Sequence, residues 1–195
     1  MSITGLILAG GRGSRMGDVD KGLQHFHAKP MVAHVIERLA PQVDTIFINA
    51  NRNPNEYAAF GHIVVPDAID GFAGPLAGLH IGMQRATTEW IVTVPCDSPF
   101  LPRDLVARLI GAADKAKADL AYAQTYDQAH PVFCLARVAL EPSLRAFLET
   151  GQRKIDKWFA SVNAASASFD DQEAAFANIN TLAELQNFER TNHPS

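Results

Sequence analysis

Short apolar runs alternate along this chain with stretches in which apolar residues recur every three or four positions. Leu6–Leu8, Ile63–Val65 and Trp90–Val94 are continuous runs of the kind that form strands buried on both faces, and Thr45–Asn49 alternates before ending in an Asn-rich turn. Between them, Met31, Val35, Ile36 and Leu39 keep helical spacing until Pro41, and Pro54–Phe60 reads as a short helix. A third helix runs within Gly71–Ala86, with Leu76, Leu79, Ile81 and Met83 for packing. A fourth runs within Arg103–Ala116, with Leu105, Val106, Leu109, Ile110 and Ala113 on one side. Leu120–Gln124 and Val132–Leu135 then read as strands joined through TYDQAH, a connection short enough for an antiparallel pair. Helices follow over Leu140–Leu148 and Thr181–Phe188. Alternating strands and helices predict a three-layer α/β/α sandwich with a mainly parallel sheet and an antiparallel part in the C-terminal half.

Composition narrows the class. With 195 residues, 47% of them hydrophobic, the chain can bury one sizeable core and reads as a single domain. A net charge of −4 without a basic block argues against a nucleic-acid surface. The start, MSITGLILAGG, has neither a basic signal-peptide region nor an apolar run long enough for a membrane span, so a cytoplasmic protein is expected. Cys96 and Cys134 lack metal-type spacing and read as small buried residues.

The chemistry concentrates at Gly5–Leu23, GLILAGGRGSRMGDVDKGL. After the first strand, Gly10, Gly11, Gly13 and Gly17 let the backbone turn and approach a ligand without a Cβ, so that amide N–H groups can face phosphate oxygens. Arg12, Arg15 and Lys21 add cationic side chains at the same mouth. It is not a Walker A loop, because Lys21 follows Asp20 rather than glycine. Nor is it a dinucleotide fingerprint, because Met16 stands where the third glycine belongs. A nucleoside triphosphate fits the remaining pattern.

Polar residues at other strand ends supply further candidates. Asn49, with Asn51 beside it, either contacts a base or ribose or makes an Asx turn. Asp67 either approaches a ribose, base or metal or is a solvated loop aspartate. Asp97, in PCDSPFLP, ends a buried strand and is either an N-cap or the carboxylate that holds Mg²⁺ beside phosphate oxygens. Farther on, Gln152, Arg153, Lys154 and Lys157 make either a basic binding edge or a solvated helix face, and His130 is a turn histidine. Asn178 and Asn180 share one side of the extended FANINT segment.

LAGGRGSRMGDVDKGL, from Leu8 to Leu23, resembles the signature loop of nucleotidyltransferases, and its LAGG, RMG and DKGL look most like the molybdenum cofactor guanylyltransferases. GPLAG at Gly74–Gly78, PCDSPFLP at Pro95–Pro102 and N-x-N-T from Asn178 extend the resemblance over nearly the whole chain. It implies one Rossmann-like nucleotidyltransferase domain over residues 1–195, with residues 1–100 binding nucleotide and 101–190 binding the acceptor. It further implies that GTP and molybdopterin are the substrates and Mg²⁺ the cofactor, and that GMP passes to the terminal phosphate of molybdopterin with release of pyrophosphate. In that scheme Leu8, Ala9, Gly10, Gly11, Arg12, Lys21, Asn49, Asp67 and Asp97 bind the nucleotide. Arg15, Lys21 and Asp97 are catalytic, with Asp97 on the metal. Arg153, Lys154, Asn178 and Asn180 serve the acceptor, and His130 lies on its side of the domain. The alternatives are a CTP-dependent relative and an adaptor that binds GTP without transferring it. A monomer or weak oligomer is expected, with other molybdenum-cofactor proteins as partners.

Overall fold

The computed structural model describes residues 1–9, 20–67 and 74–176. The first strand, β1 (Ile3–Leu8), leads to a single 3₁₀ turn at Lys21–Leu23 and a two-strand ribbon of β2 (His25–Phe26) and β3 (Lys29–Pro30). Then come α1 (Met31–Leu39), β4 (Thr45–Asn49), α2 (Pro54–Ala58), β5 (Ile63–Val65), α3 (Pro75–Arg85) and β6 (Trp90–Pro95). The second half holds α4 (Leu105–Ala116), β7 (Leu120–Thr125), β8 (Gln128–Arg137), α5 (Glu141–Glu149), α6 (Ile155–Phe159) and β9 (Ala164–Ser168). A last 3₁₀ segment covers Asp170–Phe176.

The larger sheet has seven strands in the order β5-β4-β1-β6-β8-β7-β9. Its β5, β4, β1 and β6 are mutually parallel, β8 runs antiparallel to both β6 and β7, and β9 is parallel to β7. Successive side chains on a strand point to opposite faces, and the core divides accordingly. Ile3 and Ile7 of β1, with Trp90, Val92 and Val94 of β6, pack against Val32, Val35 and Leu39 of α1, Tyr57 of α2, and Leu105 and Leu109 of α4. On the other face, Leu6 and Ile91 meet Leu76 and Leu79 of α3, Leu144 and Leu148 of α5, and Trp158 of α6. This is the expected three-layer sandwich.

The elements at Met31–Leu39, Thr45–Asn49 and Ile63–Val65 keep the bounds read from the sequence. Helix α2 stops at Ala58, short of Phe60. There the bonds tighten, with Phe60 N–H donating to the Tyr57 carbonyl and Gly61 N–H to that of Ala58, and Gly61 takes a positive φ of 80° that ends the turn. The β7–β8 pair extends into TYDQAH, leaving Tyr126 and Asp127 as the connection, with Tyr126 left-handed at φ 49°. Sequence pattern gives no warning of β9, because AASAS has no apolar alternation. It is an edge strand held by its ladder to β7, from Leu120↔Ala164 to Gln124↔Ser168. Among the described residues, no helix is long and apolar enough to cross a membrane.

Candidate active site

Chain order reverses around β1. From it the chain passes outward to β4 and β5, then crosses by α3 on the opposite face to β6 on β1's other side. Such reversals open a crevice beyond the carboxyl ends of the strands. The ends lie in one row, with Leu8 paired to Asn49 and to Pro95, and Asn49 paired to Val65. Ala9 N–H donates to the Asn49 carbonyl (2.8 Å) and Cys96 N–H to the Leu8 carbonyl (3.1 Å), so these two groups of the LAG segment are committed to the ladder.

On the β4–β5 side the structure brings Asn49 and Asp67 together. Asn49 is only 3% exposed, and its Nδ2 donates both to the Val65 carbonyl (3.1 Å) and to Asp67 Oδ1 (2.8 Å). Asn51 brackets the same carboxylate, its Nδ2 donating to Oδ2 (2.8 Å) while its Oδ1 accepts from the Asp67 N–H (2.8 Å). Asp67 is thereby fixed by two amides, and each carboxylate oxygen keeps capacity for another donor. The GPLAG stretch explains the close packing behind it. A Cβ on Gly78 would overlap Asn49 Oδ1 and lie 2.6 Å from Leu8 Cδ2, so glycine lets α3 sit directly against the Asn49 amide.

On the β6 side, Lys21 Nζ lies 3.3 Å from Asp97 Oδ2, which joins the end of the Gly-rich segment to the PCD turn. Asp97 is 8% exposed. Burial raises its pKa above the ordinary carboxylate value, and the Lys21 ammonium opposes that shift. Among the described residues no group of three or more His, Cys, Asp or Glu side chains could enclose a metal. Asp97 offers one buried carboxylate there, which suits a hard ion whose other ligands come from phosphate and water.

Three residues beside this pair, Asp20, Asn53 and Tyr57, escape sequence reasoning. Asp20 accepts from the Tyr57 hydroxyl (2.5 Å) and from Asn53 Nδ2 (3.0 Å). A five-residue helix with one buried aromatic reads as packing, and 37 positions separate the partners, so periodicity carries no sign of the contact.

Of the acceptor candidates, Arg153 and Lys154 are exposed in the turn that joins α5 to α6. His130 is half-buried, pairs through Nε2 with Thr125 Oγ1 (2.7 Å) and stacks on Phe176 with ring centroids 4.6 Å apart. Burial lowers its pKa below the ordinary imidazole value. Gly10, Gly11, Arg12, Arg15, Asn178, Asn180 and the helix expected at 181–188 lie outside the described residues.

A family profile described as the MobA-like NTP transferase domain matches residues 5–167. A molybdenum cofactor guanylyltransferase of Cupriavidus necator is 56% identical over 192 residues, covering 96% of each chain. One of Bordetella petrii is 55% identical over 188 residues, covering 94% of this chain and 95% of its own. The chain belongs to the molybdenum cofactor guanylyltransferase family. A solved structure from Archaeoglobus fulgidus, described as molybdopterin-guanine dinucleotide biosynthesis protein A, superposes with a TM-score of 0.79 at 21% identity. It covers 96% of this chain and 97% of its own, and the two share one fold. The matched span takes in Lys21, Asn49, Asp67 and Asp97 as well as Arg153 and Lys154, whereas Asn178 and Asn180 follow it.

Proposed function

We propose that this protein transfers GMP from GTP to the terminal phosphate of molybdopterin, forming the guanine dinucleotide cofactor and releasing pyrophosphate. The observation that carries the reading is the pairing of Lys21 with a buried Asp97 at the carboxyl end of β6, on the same edge of the sheet as the Asp67 carboxylate that Asn49 and Asn51 hold after β5, with β1 and β4 between them. A phosphate oxygen of the acceptor attacks the α-phosphorus of GTP, a P–O bond forms, and the bond from the α-phosphorus to the bridging oxygen breaks toward pyrophosphate. Both reactants are anions, so mutual repulsion and charge on the leaving group dominate the barrier. The phosphate nucleophile is ionised at neutral pH and needs no general base.

Lys21 supplies positive charge to the triphosphate at the end of the Gly-rich segment, with Arg15 and Arg12 as further candidates in it. Asp97 fits Mg²⁺, which in this class of site neutralises phosphate charge and polarises the bond that breaks. Asp67 addresses the base. Guanine's N1–H and N2–H are adjacent donors, and a fixed carboxylate accepts both, whereas cytosine presents an acceptor at N3. Arg153 and Lys154, with Asn178 and Asn180, complete the acceptor side, and residues 1–100 and 101–190 act as nucleotide and acceptor halves of one domain.

The test is a competition among GTP, CTP, ATP and UTP with Mg²⁺ and molybdopterin, scored by product mass. The expected product is the guanine dinucleotide with one pyrophosphate released. A cytosine product would reassign the chain to CTP, and nucleotide binding without pyrophosphate release would make it an adaptor.

A further inference from the structure

Lys21 is a flexible side chain whose ordering costs rotamer entropy, so its use as a phosphate ligand depends on how well its backbone is fixed. Both of its neighbours are held against one buried tyrosine. Asp20, immediately before it, receives the Tyr57 hydroxyl on Oδ1 (2.5 Å) and Asn53 Nδ2 on Oδ2 (3.0 Å). Gly22, immediately after it, is buried so closely that a Cβ would lie 2.5 Å from the Tyr57 hydroxyl and 3.1 Å from Cys96 Cβ. Cys96 in turn precedes Asp97. Tyr57 is fully buried, and burial above all, with Cys96 and Asp20 adding to it, pushes its phenol well above the ordinary value, which keeps it a neutral donor. Asn53 offers its amide from a left-handed backbone at φ 48°, a conformation that costs a non-glycine residue energy.

The charge of Asp20 makes the arrangement informative. A carboxylate next to a lysine that must hold a triphosphate repels that ligand, so its presence there calls for a compensating role. We infer that Tyr57, Asp20 and Asn53 form a clasp that positions Lys21 opposite Asp97, making Tyr57 and Asp20 positioning residues for triphosphate binding. The clasp joins the end of the phosphate segment to α2, the element that follows Asn49 and Asn51, so the phosphate side and the base side of the crevice are fixed to one support. The inference rests on Lys21 serving the triphosphate, as in the reading above.

The experiment is a double-mutant cycle on Mg²⁺–GTP affinity, with guanosine as the ligand that lacks phosphate. Tyr57→Phe keeps the buried ring and removes only the hydroxyl. It should raise the GTP dissociation constant about tenfold in the native background, the order of one hydrogen bond to a charged group, and less than about twofold in Lys21→Ala. Guanosine affinity should stay within about twofold. Asp20→Asn, which keeps an oxygen for the phenol, should retain more GTP affinity than Asp20→Ala. Tyr57→Phe and Lys21→Ala losses that multiply, or equal loss for GTP and guanosine, would overturn the clasp and leave the site reading standing. Native GTP affinity in Lys21→Ala would remove the site reading, and the clasp with it.

Discussion

Asp97 occupies an environment that disfavours its ionised form, the form the proposed metal role requires. Burial raises its pKa, and the Lys21 ammonium at 3.3 Å opposes the shift without cancelling it. The consequence for stability has a definite sign. Well below its unfolded pKa the group is protonated folded or unfolded and contributes nothing. As pH rises from the unfolded to the raised folded pKa, the unfolded chain gives up its proton first and stability is lost, a loss that persists above both. Asp97→Asn should therefore melt at or above the native temperature at neutral pH, and that gap should close on acidification. The same variant should lose transfer activity by at least about 100-fold, since charge at the phosphates is no longer met; full activity would remove the metal assignment. Removing Lys21 takes away the opposing cation, so the Asp97 carboxyl ¹³C titration should move to higher pH in Lys21→Ala. Asp67 allows a second residue-level check. Asp67→Asn replaces one of its two acceptor oxygens with a donor, so GTP should lose about tenfold or more of its advantage over CTP, measured as kcat/KM with molybdopterin. An unchanged ratio would detach Asp67 from base choice.

At the scale of elements, α3 shows how packing overrules propensity. Alanine is favoured over glycine inside a helix by about 1 kcal/mol, yet Gly78 touches the amide that orients Asp67. A methyl there would displace Asn49 and Leu8, and Asn49 cannot move without giving up the bonds its Nδ2 donates to the Val65 carbonyl and to Asp67. Gly78→Ala should destabilise the protein by about 1–3 kcal/mol and weaken GTP binding. Gly111, exposed in α4 with no atom within 4 Å of where a methyl would sit, is the control. Gly111→Ala should stabilise by about 0.5–1 kcal/mol, and urea midpoints of the two variants should move in opposite directions. The contrast also shows what was legible beforehand. Apolar spacing marked α1 and β4 to the residue, and the polar ends of β4, β5 and β6 marked Asn49, Asp67 and Asp97, because each rests on local pattern. The edge strand β9 is made of small residues and owes its existence to backbone pairing with β7. The Tyr57–Asp20 bond joins a helix to a turn distant in sequence. Neither leaves a periodic trace.

For the whole molecule, the decisive feature is that the two halves share a ladder. Strand β8 pairs with β6 of the first half, from Trp90↔Arg137 to Thr93↔Cys134, and with β7 of the second. Across the helical layer, His80 Nε2 of α3 meets Glu141 Oε1 of α5 at 2.9 Å, so the N-terminal and C-terminal halves are tied on the sheet and above it. Cutting the chain after residue 100 would leave β6 as an open edge and expose Val92 and Val94, which are fully buried. A chain built this way should unfold as one unit. Trp90 and Trp158, each at most 1% exposed, report from opposite faces of the sheet and from different halves. In urea, the single-tryptophan variants Trp90→Phe and Trp158→Phe should each give one transition, with fluorescence and far-UV circular dichroism coincident within each variant. If the tryptophan signal in either variant separated from the loss of secondary structure, the halves would be independent folding units, and the site between them would depend on docking rather than on a common sheet.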